Sequence, residues 1–465
     1  MVTGGFAAPT NLSTRTATVD PDWASLTQAQ KRQRRYQWWL NSAEGVKFVN
    51  KTAERLYKER VQRMIDVYSV KEPDRVPVNV PVGHLPAHYA GIDYHTVMYE
   101  PEKAIAAWAK FNQESGLDTF VSPAANPSGK IFELIDYRLY TWPGYGLPSD
   151  ADGFQYVEGE YMTVDEYDHL IRDPSDFWLR VYLPRVIGAI EPFRFLQPAT
   201  NVVEIVNVNG FLMPYTRPEV QESLKTLIAA GKELGKWTKL MARFGQRGAR
   251  LGFPAPRGAF AKAPFDTIGD TLRGTKGVFF DMYRHPKKLH KAMDVMADIT
   301  IESVMSTLNA SKGLMATFPL HKGADGWMSQ QQFDVFYWPS LKKVIDALVK
   351  EGVLVSLFAE GSYDTRIEKC NVFPKGSVVW LFDQSDMANA KKVLGAKCCI
   401  SGNVPASLLQ VGTPKEVKAY CRKLIETCGQ GGGYILAAGN ASAERANLDN
   451  LRAMQEAALE YGVYK

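Results

Sequence analysis

Eight short β-rich runs, alternating with segments of helical period, constrain this chain more than any other feature. They are RVPVNVPV at 75–82, DTFVSP at 118–123, RGAFAKAP at 257–264, LMATFPL at 314–320, VLVSLFA at 353–359, SVVWLFD at 377–383, KCCISGN at 397–403 and GYILAAG at 433–439. Short strands joined by helical crossovers build parallel sheets, and eight is the number that closes a barrel. The pattern therefore predicts an α/β chain folded as a (β/α)8 (TIM) barrel. Between the last runs, apolar residues recur three and four apart, as at Phe333, Phe336, Leu341, Val344, Ile345 and Leu348, which marks one buried helix face. Thr413, Pro414 and Glu416 read as a helix start. Gly352, Gly395 and Gly462 fall where a left-handed C-cap residue is wanted.

Two regions stand outside this alternation. Residues 1–70 form an N-terminal arm and helices, with a basic and aromatic stretch (Lys31, Arg32, Arg34, Arg35, Tyr36, Trp38, Trp39) expected to be an amphipathic helix with solvated charges and packed rings. The barrel domain spans 71–465 and carries a long insertion at 124–256, between the second and third strands. That length exceeds any ordinary loop. Its Tyr, Trp and Pro density at 137–161 suits a cap over the barrel mouth or, equally, a satellite layer of the core.

Composition narrows the function classes. At 465 residues, 45% apolar and 23% charged, the chain can bury a sizeable core without staples. A formal net charge of +5 gives no nucleic-acid footprint. Five cysteines without CxxC spacing argue against a disulfide framework and fit a reducing cytoplasm. Neither a signal peptide nor a membrane-spanning run is visible.

In a barrel of this kind the chemistry sits at the C-terminal ends of the strands. The polar residue at each strand end gives His84, Asn126, Lys262, His321, Glu360, Asp383, Asn403 and Asn440, with Asp325 placed near His321 as its expected carboxylate partner. His321, Glu360 and Asp383 close three consecutive runs and are the expected catalytic set; His84, Asn126, Lys262, Asp325, Asn403 and Asn440 are the expected substrate-binding set. An imidazole beside carboxylates suits proton transfer. It also suits a divalent metal such as zinc, held by His321 and Glu360. The glycine-rich GQGGG at 429–433 precedes a strand and is no phosphate loop.

The stretch DMANAKKVLGAKCCISGNVPASLLQVGTPKEVKAYCRKLIE, followed by GGGYILAAG and NLRAMQEAALEYG, resembles the uroporphyrinogen decarboxylase superfamily, as do PDRVPV near residue 73 and FFDMYRHPKKL. That superfamily includes thiol methyltransferases and corrinoid-linked demethylases. True porphyrinogen decarboxylases carry an arginine-rich segment after the first strand to hold substrate carboxylates; here NVPVGHLPAHYAG has no arginine. The thiol methyltransferases carry a zinc-binding His-x-Cys and a later Cys; the matching positions here are Phe358, Glu360 and Asn440. The resemblance thus implies a corrinoid-linked methyltransferase, a demethylase component acting on a small methylated substrate. The alternative it leaves is a decarboxylase or lyase of a tetrapyrrole or other carboxylic acid. No cofactor is expected to be covalently bound. The methyl acceptor would be a corrinoid on a partner protein, since this chain has no Asp-x-His-x-x-Gly motif. A small-molecule substrate, that corrinoid protein and, optionally, a second copy of the chain are the expected partners.

Overall fold

The computed structural model describes residues 20–125, 128–439 and 443–464. The insertion contributes a small sheet of β1 (Tyr140–Pro143), β2 (Gly146–Leu147) and β3 (Gln155–Tyr156), in the order β2-β1-β3. The main sheet is β4 (Gly258–Phe260), β5 (Met315–Leu320), β6 (Leu354–Ala359), β7 (Val378–Phe382), β8 (Cys399–Val404) and β9 (Tyr434–Ala438). These six strands are parallel and lie side by side in chain order. β6, β7 and β9 are buried along their whole length, as expected when helices cover a parallel sheet.

The first two expected strands are not regular strands. Pro77 and Pro81 deprive 75–82 of two ladder donors. What remains is a single parallel bridge, Val78 to Leu436, with Asn79 N donating to Leu436 O at 3.1 Å and Leu436 N to Pro77 O at 3.0 Å. This segment still runs beside β9. At 118–123 a side chain replaces the ladder: buried Asp118 accepts from Val78 N at 2.9 Å, from Arg63 at 2.8 Å and from Arg75 at 2.6 and 2.9 Å, while its own N–H donates to Val78 O. Residues from all eight runs line one interior cavity of about 120 Å³, polar at Asn79, Thr119, Thr317, Ser356 and Ser401.

The N-terminal helices close the opposite end of the sheet from the strand tips. Helix Gln28–Leu40 starts on a Thr27–Gln30 capping box. Its Tyr36 and Trp39 pack, with Tyr57, Val61 and Met64 of helix Lys51–Tyr68, against Met315, Leu354, Val379, Cys399 and Ile435 at the strand beginnings. The expectation of solvated charges fails here. Arg35 is fully buried, donating to Gly313 O (2.6 Å), Glu351 O (3.0 Å) and Asn309 Oδ1 (3.2 Å); Lys31 pairs with Glu351 at 2.8 Å and Arg32 reaches Lys375 O. Carbonyls left unpaired where strands begin need donors, and the arginines supply them.

The Thr413 capping box is present at helix Pro414–Cys428. Gly352 takes the left-handed conformation at φ +73°, but Gly395 and Gly462 do not. The long helical segment of the insertion is Pro218–Arg250. All five cysteines are buried and free. Among the described residues, no helix is long and apolar enough to cross a membrane.

Candidate active site

Strand period fixes the site. Met315, Thr317 and Pro319 face inward on β5, Ser356 and Phe358 on β6, and Val379 and Leu381 on β7. Continuing the alternation by one step puts His321, Glu360 and Asp383 on the inward row at the strand tips. The pairing of Leu320 with Ala359, and of Ala359 with Phe382, places those three tips in register.

Above the tips lies a cavity of about 440 Å³. Its floor is Phe260, Thr317, Pro319, Phe358 and Leu381; its walls and roof include Tyr94 and Met98 and, from the insertion, Phe132, Tyr137, Tyr140, Trp142 and Phe154. The insertion therefore contributes aromatic rings directly over the strand ends. One edge is polar: Lys262, His321 and Glu360.

At this edge His321 Nδ1 meets Asp270 Oδ2 at 2.6 Å, and Nε2 lies 3.7 Å from Glu360 Oε1. Asp270 also pairs with Lys262 Nζ at 2.7 Å and Lys322 Nζ at 2.9 Å. Behind it, fully buried Asp266 accepts from the N–H groups of His321 (3.0 Å) and Lys322 (3.1 Å) and from the Tyr337 hydroxyl (2.7 Å), which clamps the tip of β5. Asp266 and Asp270 are four apart on the helical segment after β4, so both carboxylates lie on one face and reach the neighbouring strand end. Gly269 makes room for Lys322, whose Cε would lie 2.8 Å from a Cβ there.

The charges follow from burial and pairing. Burial and the Asp270 charge push the Asp266 carboxyl up. Burial acts to raise Asp270 too, but its bond to His321 and the ammonium groups of Lys262 and Lys322 outweigh this and hold it well below the carboxylate range. His321 is lowered by burial and raised more by the Asp270 hydrogen bond and the charges of Asp266, Asp270 and Glu360; the net shift is upward. Glu360 is raised, mainly by burial, with the charges of Asp270 and Asp383 adding to it against His321.

The other expected residues have different placements. Asp383 is not in the cavity wall; its carboxylate accepts from Gly361 N at 3.0 Å, where φ of +78° turns the chain sharply. Asp325 is not the partner of His321. It accepts from Ser362 (2.9 Å) and Thr365 (2.6 Å) and lies 3.4 Å from Arg366, tying together the loops after β5 and β6. Asn403 donates to the carbonyls of Asp383 and Ser385, so it braces strand ends. His84 lies behind the cavity wall, its ring 4.0 Å from that of Tyr94 and its Nδ1 3.3 Å from Glu444. Asn126 and Asn440 lie outside the described residues. Lys262, by contrast, lines the cavity.

A divalent metal at this edge would be held by His321 Nε2 and Glu360 Oε1, with Asp270 on Nδ1 orienting the ring as carboxylates behind metal-bound imidazoles do. Among the described residues no group of three or more His, Cys, Asp or Glu side chains is arranged to hold a metal ion.

A parallel sheet carries polar groups at its strand tips beneath a ring-lined cavity, the arrangement of an α/β protein whose site is built on strand ends. The chain belongs to the uroporphyrinogen decarboxylase family, whose model matches residues 220–461. Uroporphyrinogen decarboxylase of Mannheimia succiniciproducens is 23% identical over 193 residues, covering 39% of this chain and 50% of the relative. That of Actinobacillus pleuropneumoniae is 23% identical over 266 residues, covering 54% of this chain and 67% of the relative. The chain thus spans half to two thirds of the length of these relatives. A methyltransferase from Methanosarcina mazei shares the fold, with a TM-score of 0.55 at 15% identity over 87% of this chain and 98% of that one.

Proposed function

We propose that the chain is a (β/α)8-barrel enzyme that removes a methyl group from a small, apolar-bodied ether or amine, the demethylase component of a corrinoid-linked methyltransferase. The reading rests on the opposition of His321 Nε2 and Glu360 Oε1 across 3.7 Å at the one polar edge of an aromatic cavity. That separation is too long for a hydrogen bond between them, and a leaving oxygen or nitrogen seated on the cavity side of the pair, off the line joining them, can reach both. Each has raised proton affinity. As the methyl–heteroatom bond breaks, the electron pair stays on the heteroatom and a proton held at His321 Nε2 or Glu360 Oε1 neutralises it. Asp270 orients the imidazole through Nδ1, and Lys262 holds Asp270 ionised. The rings position the substrate body and exclude water. A reduced corrinoid on a separate protein would accept the methyl group.

One observation favours a second reading, decarboxylation: Lys262 and His321 together offer cations to a carboxylate. A polycarboxylate tetrapyrrole suits the cavity poorly, because no arginine is among its lining residues. The two readings separate on incubating the protein with reduced corrinoid and a panel of methoxylated aromatics, methylated amines and their carboxylated analogues. Corrinoid-dependent appearance of the free phenol or amine is expected; carbon dioxide release with the methyl group retained would select decarboxylation.

A further inference from the structure

The interior beneath the floor of the aromatic cavity is open and polar. Barrels of this kind are ordinarily filled there by bulky branched side chains. Here the chamber of about 120 Å³ is faced by Asn79, Thr119, Thr317, Ser356 and Ser401, and Gly258 and Ala259 add no bulk to it. Thr317 and Ser356 pair across the β5–β6 ladder, and β8 supplies Ser401. Thr317 and Ser356 are each 9% exposed and Ser401 5%. Among the described residues, none of these three hydroxyls has a hydrogen-bond partner. Thr119 donates to Asn79 Oδ1 at 2.8 Å, which leaves the Asn79 amide hydrogens unspent. Open space forfeits packing contacts, and an unpaired buried hydroxyl costs its hydration. This layer therefore weakens the barrel unless something binds in it.

The chamber also adjoins the reacting groups. Pro81, Phe260, Thr317 and Leu381 line both it and the aromatic cavity above, so they form the partition, and Thr317 is its polar member. Phe260 is 45% exposed, so its ring has room to turn aside. Thr317 and His321 stand four residues apart along the β5 direction, about 13 Å.

We infer that the chamber binds the uncharged, hydrogen-bonding tail of the substrate, a hydroxyl or carbonyl group at the end remote from the reacting methyl group. No charged side chain lines the chamber, so an ionised tail would lose its hydration without compensation. Hydroxyls both donate and accept and the Asn79 amide donates, which meets both needs of an alcohol and the acceptor of a carbonyl. A cavity of ~150 Å³ admits a benzene ring, so this smaller one takes a tail of about five heavy atoms. The aromatic cavity then selects the body, and the chamber selects length and tail. That the far end is a methylated heteroatom rests on the demethylase reading; the site of the tail does not.

Isothermal titration of the full chain, without corrinoid, tests the inference with two probes that differ by one hydroxyl, para-(hydroxypentyl)anisole and para-pentylanisole. The wild type is expected to bind the hydroxylated probe about 10-fold or more tightly. Thr317→Val and Ser356→Ala, which delete hydroxyls at nearly constant shape, are expected together to abolish this preference with unchanged circular dichroism. Ser356→Leu, which fills the chamber, is expected to weaken both tailed probes about 10-fold and leave anisole itself unaffected. A crystal structure with the hydroxylated probe is expected to place its hydroxyl within about 3 Å of Ser356 or Ser401 Oγ. Equal affinities in the wild type, a preference that survives the double substitution, or a bound probe whose chamber holds water alone would overturn the inference. Failure of the demethylase reading shows separately, as no turnover of a probe that still binds with this preference.

Discussion

At the cavity edge His321 is held protonated by Asp270, supplied by a different element, whereas Glu360 is raised mainly by burial. Glu360 has the simplest test. Glu360→Gln keeps the shape and removes the titrating group, so turnover is expected to fall about 100-fold or more with the urea midpoint little changed. Asp270 is tested through His321. Asp270→Asn removes the strongest support for the imidazolium, and a proton NMR titration is expected to find the His321 pKa above about 6.5 in the wild type and lower in the variant. The stability signs follow. His321, raised by folding, stabilises fully below about pH 6.5 and loses this as pH rises through its folded value; Asp270, depressed by folding, stabilises above about pH 4 and loses this as pH falls through its folded value. The stability gap between wild type and Asp270→Asn is therefore expected to be widest between about pH 4 and 6.5 and narrower at pH 9, where the lysine pairs alone sustain it. An unchanged gap at pH 9 would remove the imidazolium from the pair. His321, Glu360 and Lys262 were legible in the sequence because each extends a strand's inward row by one step. Asp270 was not, because it belongs to a helical segment whose approach to His321 is set by tertiary packing; two aspartates four apart just after Lys262 were the available signal. Asp325 misled for the complementary reason, since nearness in sequence to His321 did not survive the turn between them.

At the scale of elements, β5 to β9 were readable because their runs are unbroken by turn residues and rich in residues that pack on a pleated surface. Pro77 and Pro81 broke the same reading at 75–82, and at 118–123 the carboxylate of Asp118 does the work of a ladder. The insertion was visible as an interruption, and its aromatic density suggested the roof, but its small sheet and many short helices have no strong period of their own. The arm departs from its sequence reading at its cations. An amphipathic helix with four cations suggested a solvated face, whereas Arg35 serves carbonyls at the beginnings of strands. Arg35→Met leaves Gly313 O and Glu351 O without their donor and is expected to cost about 3 kcal/mol in urea unfolding at pH 7. The same substitution at exposed Arg55, which only pairs along its own helix with Glu59, is expected to cost less than about 0.5 kcal/mol.

For the molecule as a whole, a parallel sheet presents polar strand tips to a space that an insertion roofs with rings. No arginine lines that space, and in the proposed reading the rings hold an apolar body while the acid–base edge meets its one reacting heteroatom. The central claim is that this edge serves methyl transfer, and a doubly labelled substrate tests it most directly. A methoxylated aromatic acid carrying deuterium in its methyl group and carbon-13 in its carboxyl group would be turned over by the wild type and by Glu360→Gln in the presence of reduced corrinoid. The account predicts loss of the deuterated methyl group with the carboxyl label retained, slowed about 100-fold or more in Glu360→Gln. Labelled carbon dioxide released from a product that keeps its deuterated methyl group would contradict it.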